Sequence, residues 1–423
     1  MKLTLSPNVE LADQIIEHGR SIGILHNVIG DYKTDGKTIL LNGKRVTYFG
    51  NCSYLGLEHD SRLKEAAINA IERYGIQFSC SKTYASIPLY EELEPLLSQI
   101  FGKPTIAAPT TTLAHMSTIP VLIQRDDVII IDQQAHASMH NAVAVAKSMG
   151  THVEMIRHSR MDMLESRLKK LSQQYNRVWF MTDGVYSMFG DVAPLSTLWD
   201  FMNQYDNFYC YIDDAHGMSW TGQHGSGYTL SQLPYFHDKM VMLTSLAKGF
   251  GACGAAIILP NEEWRRVILN VGPTLMFSGP LQPATLGAMI ASAKIHLTSE
   301  IIEKQEKLSR LMSYFMLTAK SLRLPLVNED RTPVFFIGVG IPDTGAEISQ
   351  RMLNSGFLLN PSSFPSVPYK NTGLRATLTI NLTEQDIYEM LHQLSEHMND
   401  MEKGKKVSRE EIRRAFGMSL QNN

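Results

Sequence analysis

Short apolar runs that alternate with helical segments constrain the fold of this chain more than any other feature of its sequence. Between about residues 60 and 285, these β-rich runs read DVIIID (127–132), VWFMTD (178–183), FYCYIDD (208–214), MVMLTS (240–245) and AAIILP (255–260). Strands that are apolar throughout and separated by helices favour a mainly parallel sheet with helices on both faces. We therefore predict an α/β fold whose ligands bind beyond the carboxyl ends of the strands.

The segments on either side of this region have different patterns. Residues 9 to about 30 indicate an N-terminal helix, and ILLNGKRVTYFG predicts a hairpin that turns at Asn42-Gly43. After about residue 285, a long helical stretch precedes strand-like PVFFIGVG and LRATLTI, which indicates a smaller α+β domain. We predict an N-terminal helix, hairpin and substrate-entry segment (1–59), a large domain (60–285) and a small C-terminal domain (286–423).

Composition argues against several classes of function. The 423 residues are 44% apolar and 19% charged with a net charge of −3, which favours a soluble globular protein and gives no case for nucleic acid. The cysteines at 52, 80, 210 and 253 lack the paired spacing of a zinc site, so we expect no metal site and a reducing cytoplasm. Neither a signal peptide nor a stretch of ~18 apolar residues is present, so we expect no export and no integral membrane segment.

One lysine follows a predicted buried strand. Lys248 lies in LTSLAKGFGACGAA (243–256), directly after MVMLTS. Most lysines are solvated surface charges, but the strand predicts burial here, and Gly249, Gly251 and Gly254 would leave room for a ligand beside the backbone. A buried amine loses its proton more readily and becomes a nucleophile toward an aldehyde.

Acids and histidines follow three other predicted strands. Asp213, Asp214 and His216 lie in YIDDAHG, Asp183 in TDGVYSMFGD, and His136 in DQQAHAS. A carboxylate at a buried strand end needs a cation or hydrogen-bond donors to offset its desolvation. Taken singly, these residues could equally cap turns or pack locally. Together they lie where the fold argument places a ligand.

The order, spacing and strand-end placement of these motifs resemble the fold-type I enzymes that use pyridoxal 5'-phosphate (PLP). Within them the resemblance is to the α-oxoamine synthases, which include 8-amino-7-oxononanoate synthase, 2-amino-3-ketobutyrate CoA ligase and serine palmitoyltransferase. It runs from about residue 45 to 395 and is strongest over 127–283. It implies a fold-type I PLP-dependent transferase, with a large PLP-binding domain and a smaller C-terminal α+β domain.

The resemblance implies four catalytic residues. Lys248 would bind the cofactor aldehyde covalently, and Asp213 would pair with the pyridinium nitrogen. A carboxylate there keeps the nitrogen protonated, so that the ring accepts electrons when a bond at the substrate's α-carbon breaks. His136 would stack on the ring, and His216 would contact its phenolic oxygen.

Further cofactor contacts follow from the same resemblance. A phosphate is best held by amides and hydroxyls at a helix N-terminus, and APTTTLAHM offers three threonines before a helical run, where the family usually has Ser-Gly-aromatic. Asp183 stands where the synthases commonly have Glu. The implied contacts are Asp183, Ser187, Thr110, Thr111, Thr112, Ser245 and Ser278. Ser278 resembles the residue through which a second subunit contacts the phosphate, which implies a homodimer with a shared active site.

Three residues are implied in substrate binding. Arg375 in GLRATLT matches the family's arginine for the substrate carboxylate, which a guanidinium binds through two parallel hydrogen bonds; otherwise a surface ion pair would be the simpler interpretation. Cys52 replaces the substrate-contacting asparagine, and it could instead be a small buried filler. Tyr90 replaces a frequent histidine.

The implied reaction condenses a small amino acid with an acyl thioester, with loss of CO2, to give an α-amino ketone. Two alternatives stay open. One is an aminotransferase or aldolase-type lyase on the same cofactor, and the other is a catalytically idle binding or regulatory partner. The sequence leaves the amino acid, the acyl length, and the choice between CoA and a carrier protein undecided.

Overall fold

The computed structural model describes residues 4–31 and 33–418. Its helices are α1 (Pro7–Ser21), α2 (Ser61–Tyr74), α3 (Leu89–Phe101), α4 (Thr111–Leu122), α5 (Ala137–Ser148), α6 (Met161–Leu171), α7 (Leu195–Gln204), α8 (Tyr228–Gln232), α9 (Glu262–Val271), α10 (Pro273–Phe277), α11 (Pro283–His296), α12 (Glu300–Ser321), α13 (Pro342–Asn354), α14 (Glu384–Lys403) and α15 (Arg409–Ala415). Its strands are β1 (Thr38–Leu41), β2 (Lys44–Tyr48), β3 (Thr105–Ala108), β4 (Val128–Asp132), β5 (His152–Ile156), β6 (Val178–Asp183), β7 (Phe208–Asp213), β8 (Met240–Ser245), β9 (Ala255–Ile258), β10 (Val334–Gly340), β11 (Phe357–Leu358), β12 (Asn360–Ser362) and β13 (Thr372–Thr377).

The chain divides into two compact units. Unit 1 combines Met1–Tyr54, Met188–Asp191 and Lys307–Asn423, and unit 2 combines Leu55–Ser187 and Val192–Glu306. This division differs from the predicted one in two places. The N-terminal segment groups with the C-terminal residues instead of standing apart, and α11 belongs to unit 2, so the second boundary falls after residue 285.

Unit 2 is built on a seven-stranded sheet in the order β3-β9-β8-β7-β6-β4-β5. Within it β9 runs antiparallel to both of its neighbours, and the pairs from β8 to β5 are parallel. Every residue of β4, β6, β7 and β8 except Tyr209 is buried. The apolar runs therefore form the mainly parallel sheet that they predict.

Two apolar clusters cover the two faces of this sheet. Because side chains alternate along a strand, Val178 and Phe180 pack in one cluster with α3, α6, α7 and α11. Trp179 and Met181 pack in the other cluster with α4 and α5. Both faces are thus closed to solvent, which leaves the ends of the strands as the place for polar chemistry.

Unit 1 contains two three-stranded sheets, with the orders β1-β2-β11 and β10-β13-β12. The predicted hairpin joins β1 to β2, with positive φ at Asn42 and Gly43, as a two-residue turn of this type requires. Helix α1 ends earlier than predicted, at Ser21, because Gly23 takes a left-handed conformation just beyond it.

The long helical stretch predicted after residue 285 is two helices, α11 and α12. They are separated near Thr298, whose backbone N–H and hydroxyl both bond to the carbonyl of Ile295. Helix α11 packs closely on α2 within unit 2: a Cβ added at Gly287 would lie 2.3 Å from the carbonyl oxygen of Ala66. In the part of the chain that the structure describes, no helix combines the length and apolarity of a membrane span.

Candidate active site

A small cavity lies at the carboxyl edge of the unit 2 sheet. Strands β6 and β7 are in register so that Asp183 lies opposite Asp213, and Lys248 follows β8 in the next turn. The residues that line the cavity are Thr111, His136, Asp183, Val185, Asp213, Ala215, His216 and Lys248. Residues that are far apart in the sequence are therefore brought together around one space.

Lys248 is partly buried, not fully buried as the strand pattern predicts. Two of the glycines that follow it, Gly251 and Gly254, also have a different role from the predicted one. Gly251 has φ +78°, and a Cβ there would lie 2.4 Å from Leu57, while a Cβ at Gly254 would lie 2.9 Å from the carbonyl oxygen of Ala108. These two glycines fit the turn closely against protein atoms and do not make room for a ligand.

Asp213 is held by donors on both carboxylate oxygens. The backbone N–H of Ala215 donates to Oδ1 (3.0 Å), and the Nε2 of His115 lies 2.9 Å from Oδ2. Burial alone would raise the pKa of Asp213, but the hydrogen bond from His115 and the nearby charge of Lys248 hold this pKa below its usual value. The cavity therefore has an ionised carboxylate at its wall.

His115 is the residue of this site that sequence reasoning missed. It lies on α4, is fully buried, and also has its Nδ1 3.0 Å from the hydroxyl of Tyr211. Its signal in the sequence was that it is the one titratable side chain in the mainly buried helix α4, because a buried polar group needs a partner.

The pKa of Asp183 is shifted in the opposite direction to that of Asp213. It is buried, and its Oδ1 accepts a hydrogen bond of 3.0 Å from the backbone N–H of His136. Burial and the negative charge of Asp213 together raise the pKa of Asp183 well above its usual value. The pKa values of two adjacent carboxyl groups are thus shifted in opposite directions.

His136 caps the N-terminus of α5. The backbone N–H of Ser138 donates to its Nδ1 (3.3 Å), and the hydroxyl of Ser138 lies 2.7 Å from the same atom. Burial lowers the pKa of His136 although Asp213 opposes the shift. Because Nδ1 accepts, the neutral ring carries its proton on Nε2.

The residues after β7 form a tight turn. His216 is buried, and its carbonyl accepts the indole N–H of Trp220 (2.7 Å). Asp214 accepts the backbone N–H of Thr229 (3.0 Å), and burial raises the pKa of Asp214 to about 7. A Cβ at Gly184 would lie 2.2 Å from this carboxylate, so Asp214 packs the turn.

The remaining predicted cofactor residues lie in several elements of unit 2. Thr110 caps α4, its hydroxyl accepting the N–H of Leu113 (3.1 Å), and Thr111 and Thr112 are the first two residues of that helix. The hydroxyl of Ser245 accepts the N–H of Ala247 (3.2 Å). Ser187 follows the strand of Asp183, and Ser278 follows α10; both are partly exposed. Of these residues, Thr111 alone lines the cavity in unit 2.

The predicted substrate residues Cys52 and Arg375 meet in unit 1. The Nη2 of Arg375 lies 3.8 Å from the Sγ of Cys52, and Arg375 is buried on β13, opposite Asn360 of β12. The surface ion pair considered for Arg375 is therefore excluded. In unit 2, the hydroxyl of Tyr90 accepts the N–H of Leu281 (2.9 Å).

Comparison with known proteins identifies the family. The family model for aminotransferase class I and II matches residues 44–394. The 8-amino-7-oxononanoate synthase of Fervidobacterium nodosum is 29% identical over 391 residues, covering 90% of this chain and 95% of that protein. The same enzyme of Treponema denticola is 30% identical over 353 residues, covering 82% and 86%.

A solved structure has the same fold. A single-substitution variant of the serine palmitoyltransferase of S. paucimobilis, solved with a bound PLP–myriocin aldimine, superposes with a TM-score of 0.83 at 19% identity, covering 98% of this chain and 100% of that one. The predicted fold class and resemblance are confirmed. The chain belongs to the aminotransferase class I and II family and, within it, groups with the PLP-dependent α-oxoamine synthases.

Proposed function

We propose that this chain is an acyltransferase that condenses a small amino acid with an acyl thioester. One carbon–carbon bond forms between the amino acid's α-carbon and the acyl carbonyl carbon. The thioester C–S bond and the bond between the α-carbon and the carboxyl carbon break, so the products are an α-amino ketone, the free thiol and CO2. The observation that carries the proposal is the grouping of Lys248, Asp213, His136 and His216 around one cavity at the carboxyl edge of the sheet. The named relatives support the reaction class.

The side chains around the cavity fit pyridoxal phosphate. Lys248 offers an amine for the aldehyde, Asp213 an ionised carboxylate for the ring nitrogen, and the start of α4 at Thr111 amide donors for the phosphate. We assign further contacts to Asp183, Ser187, Ser245 and His216. When bound, the cofactor supplies an electron-accepting ring that stabilises negative charge at the substrate's α-carbon.

The chain's own residues would handle protons and charge around this group. Lys248 Nζ would take the α-proton of the amino acid; its position in the lining of the cavity supports this role. Asp213 stays ionised, held by Ala215 and His115. His136 keeps a proton on Nε2, which makes that atom a hydrogen-bond donor for the carbonyl oxygen of the acyl group.

The proposal is tested by thiol release. Purified holoenzyme is incubated with single amino acids and with acyl-CoAs of increasing length, and free thiol and CO2 are measured. We expect the two products in equal amounts, and only when both substrates are present. Amino acid consumption without a thioester would instead favour an aminotransferase or a lyase. The aminotransferase alternative is tested because the matched family model is named for aminotransferases.

Arg375 is proposed to bind the carboxylate of the amino acid. Arg375→Ala is expected to raise the KM for the amino acid by about 10- to 100-fold, because a charged hydrogen-bonded pair contributes about 1.5–3 kcal/mol. Arg375→Lys keeps the charge but loses the two parallel bonds, so we expect an intermediate KM. The KM is measured at saturating thioester.

An amino acid amide serves as the control for this prediction, because it lacks the carboxylate. Wild type and Arg375→Ala should bind the amide with similar strength, measured as the change in cofactor absorbance. If the variant weakened binding of the acid and the amide equally, Arg375 would have another role. Cys52, which contacts Arg375 in unit 1, is proposed to shape the same subsite.

A homodimer is proposed on the basis of an exposed apolar patch in unit 2. Ile76, Tyr84 and Phe277 are 69%, 87% and 84% exposed, and the Ser81 hydroxyl bonds to the carbonyl of Met276 (2.6 Å), which links the two segments. Exposed large apolar side chains in one patch indicate a protein interface. Ser278 follows Phe277 directly, so a second copy on this patch would bring Ser278 close to its partner.

A cytoplasmic location is also proposed, because the four cysteines are unpaired, as is usual in a reducing compartment.

Phe277→Glu is expected to shift the protein from dimer to monomer. Light scattering should give twice the chain mass of 47.5 kDa for wild type and a single mass for the variant, because a carboxylate in an apolar interface is strongly unfavourable. Leu317→Glu, at a residue that is 70% exposed in unit 1, is the matched control and should stay dimeric. A wild-type monomer would contradict the proposal.

A further inference from the structure

A buried chain of three polar side chains runs from the core of unit 2 to the cavity. The hydroxyl of Tyr211 lies 3.0 Å from Nδ1 of His115, and Nε2 of His115 lies 2.9 Å from Oδ2 of Asp213. Tyr211 and His115 are fully buried, while Asp213 lines the cavity. His115 is not among the residues that line the cavity, and it bonds to Asp213, which is.

The two hydrogen-bond partners of His115, Asp213 and Tyr211, indicate which of its ring nitrogens carries a proton. Asp213 is ionised and can only accept, so Nε2 of His115 must carry a proton. Burial, together with the charge of Asp213, raises the pKa of Tyr211 well above its usual value, so its hydroxyl keeps its proton. When the imidazole is neutral, Nδ1 is an acceptor, so Tyr211 donates to Nδ1 and His115 donates from Nε2 to Asp213. In this arrangement each donor faces the group that is nearer to the Asp213 carboxylate.

We propose that His115 is a positioning residue that fixes the orientation and the negative charge of Asp213 for the ring nitrogen of the cofactor. This inference rests on the proposed function, in which Asp213 pairs with that nitrogen. The N–H of Ala215 holds Oδ1 and His115 holds Oδ2, so the carboxylate plane cannot rotate without breaking one bond. Charge-assisted hydrogen bonds of this kind are stronger than neutral ones.

A purely structural role is the competing explanation. Helix α4 is buried around His115, and the imidazole could simply fill the core between α4 and β7. Such a role predicts a loss of stability on substitution but no change in the cofactor. The two explanations therefore differ in the spectrum and affinity of bound PLP.

The experiment compares His115→Leu with His115→Asn. Leucine fills the space without a donor, whereas the asparagine amide can still donate to Asp213. We expect His115→Leu to weaken PLP binding about 10-fold, since a hydrogen bond to a charged group contributes about 1.5–3 kcal/mol. We also expect the midpoint of the pH titration of cofactor absorbance to move by about one unit. His115→Asn should stay within about 3-fold of wild type in affinity.

His296→Asn is the matched control. His296 is also fully buried in unit 2, and its ring nitrogens contact Ser219 and Ser292, neither of which lines the cavity. This variant should lower the melting temperature and leave the cofactor titration unchanged. Should His115→Leu fail to fold, His115→Asn and Tyr211→Phe give the pH titration instead, with a smaller shift for each.

The outcomes separate this inference from the proposed reaction. Wild-type affinity and an unchanged titration in His115→Leu would overturn the positioning role, whatever the activity. The readouts need no thioester. A changed titration in a protein that releases no thiol would keep His115 as a positioning residue and reject the condensation reaction.

Discussion

Lys248→Ala is expected to lower turnover by at least about 10³-fold. The amine of Lys248 lines the cavity with Asp213, His136 and His216, and we assign to it both the attachment of the cofactor aldehyde and the removal of the α-proton. Loss of a proton-transfer group alone costs about 10²–10⁴-fold, and among the described residues Lys248 is the lysine that lines this cavity. Turnover is measured as thiol released per mole of PLP-containing protein.

A covalent readout accompanies the rate. Borohydride reduction of wild-type holoenzyme should leave the cofactor attached to the peptide that contains Lys248, as measured by mass spectrometry, and the variant should show no attached cofactor. Lys147→Ala, at an exposed residue of α5, is the control and should behave as wild type in both assays. Wild-type turnover in Lys248→Ala would contradict the role assigned to Lys248.

The sheet of unit 2 could be predicted because its strands are apolar at nearly every position. A run such as Met240–Ser245, buried throughout, has few other places to lie than a sheet covered on both faces. The alternation with helices then implied parallel neighbours. The division into units could not be predicted in this way, because the contacts of residues 1–54 with residues after 307 join distant parts of the chain.

The cavity residues could be predicted from strand ends, but their charge states could not. Asp183 and Asp213 are neighbours because β6 and β7 pair in that register. Burial and the charge of Asp213 raise the pKa of Asp183, whereas the hydrogen bond from His115 outweighs burial and lowers the pKa of Asp213. His115 lies 98 residues from Asp213 in the sequence. No local sequence pattern could therefore indicate that His115 contacts Asp213, although the helical run that contains His115 was predicted. Gly251 was misjudged for the same reason, since its close neighbour is Leu57.

Asp213→Asn is expected to lower kcat by about 10²–10³-fold while the fold is kept. This range is typical when one preorganised electrostatic partner of a reacting group is removed. Asparagine has the same shape as aspartate, but it carries no charge to keep the ring nitrogen protonated. The kcat and the absorbance of the bound cofactor are measured together, and a melting curve checks the fold.

The hydrogen bonds around Asp213 explain why the fold should survive. The side-chain oxygen of asparagine can still accept the N–H of Ala215, and its NH2 group then faces Nε2 of His115. His115 can accept there if its proton moves to Nδ1, which would donate to the hydroxyl oxygen of Tyr211. Each buried group keeps a partner, so the change removes the charge more than the packing.

Asp214→Asn is the matched control for Asp213→Asn. Asp214 is the next residue and is fully buried, but it bonds to the N–H of Thr229, and the pKa of Asp214 is raised to about 7. Asparagine resembles the protonated form that Asp214 already populates near neutral pH. The kcat of Asp214→Asn should therefore stay within about 10-fold of the wild-type value. Equal losses in the two variants would mean that a buried acid is needed for the turn after β7. A large loss in Asp213→Asn alone would mean that the charge at the cavity wall is what the reaction requires.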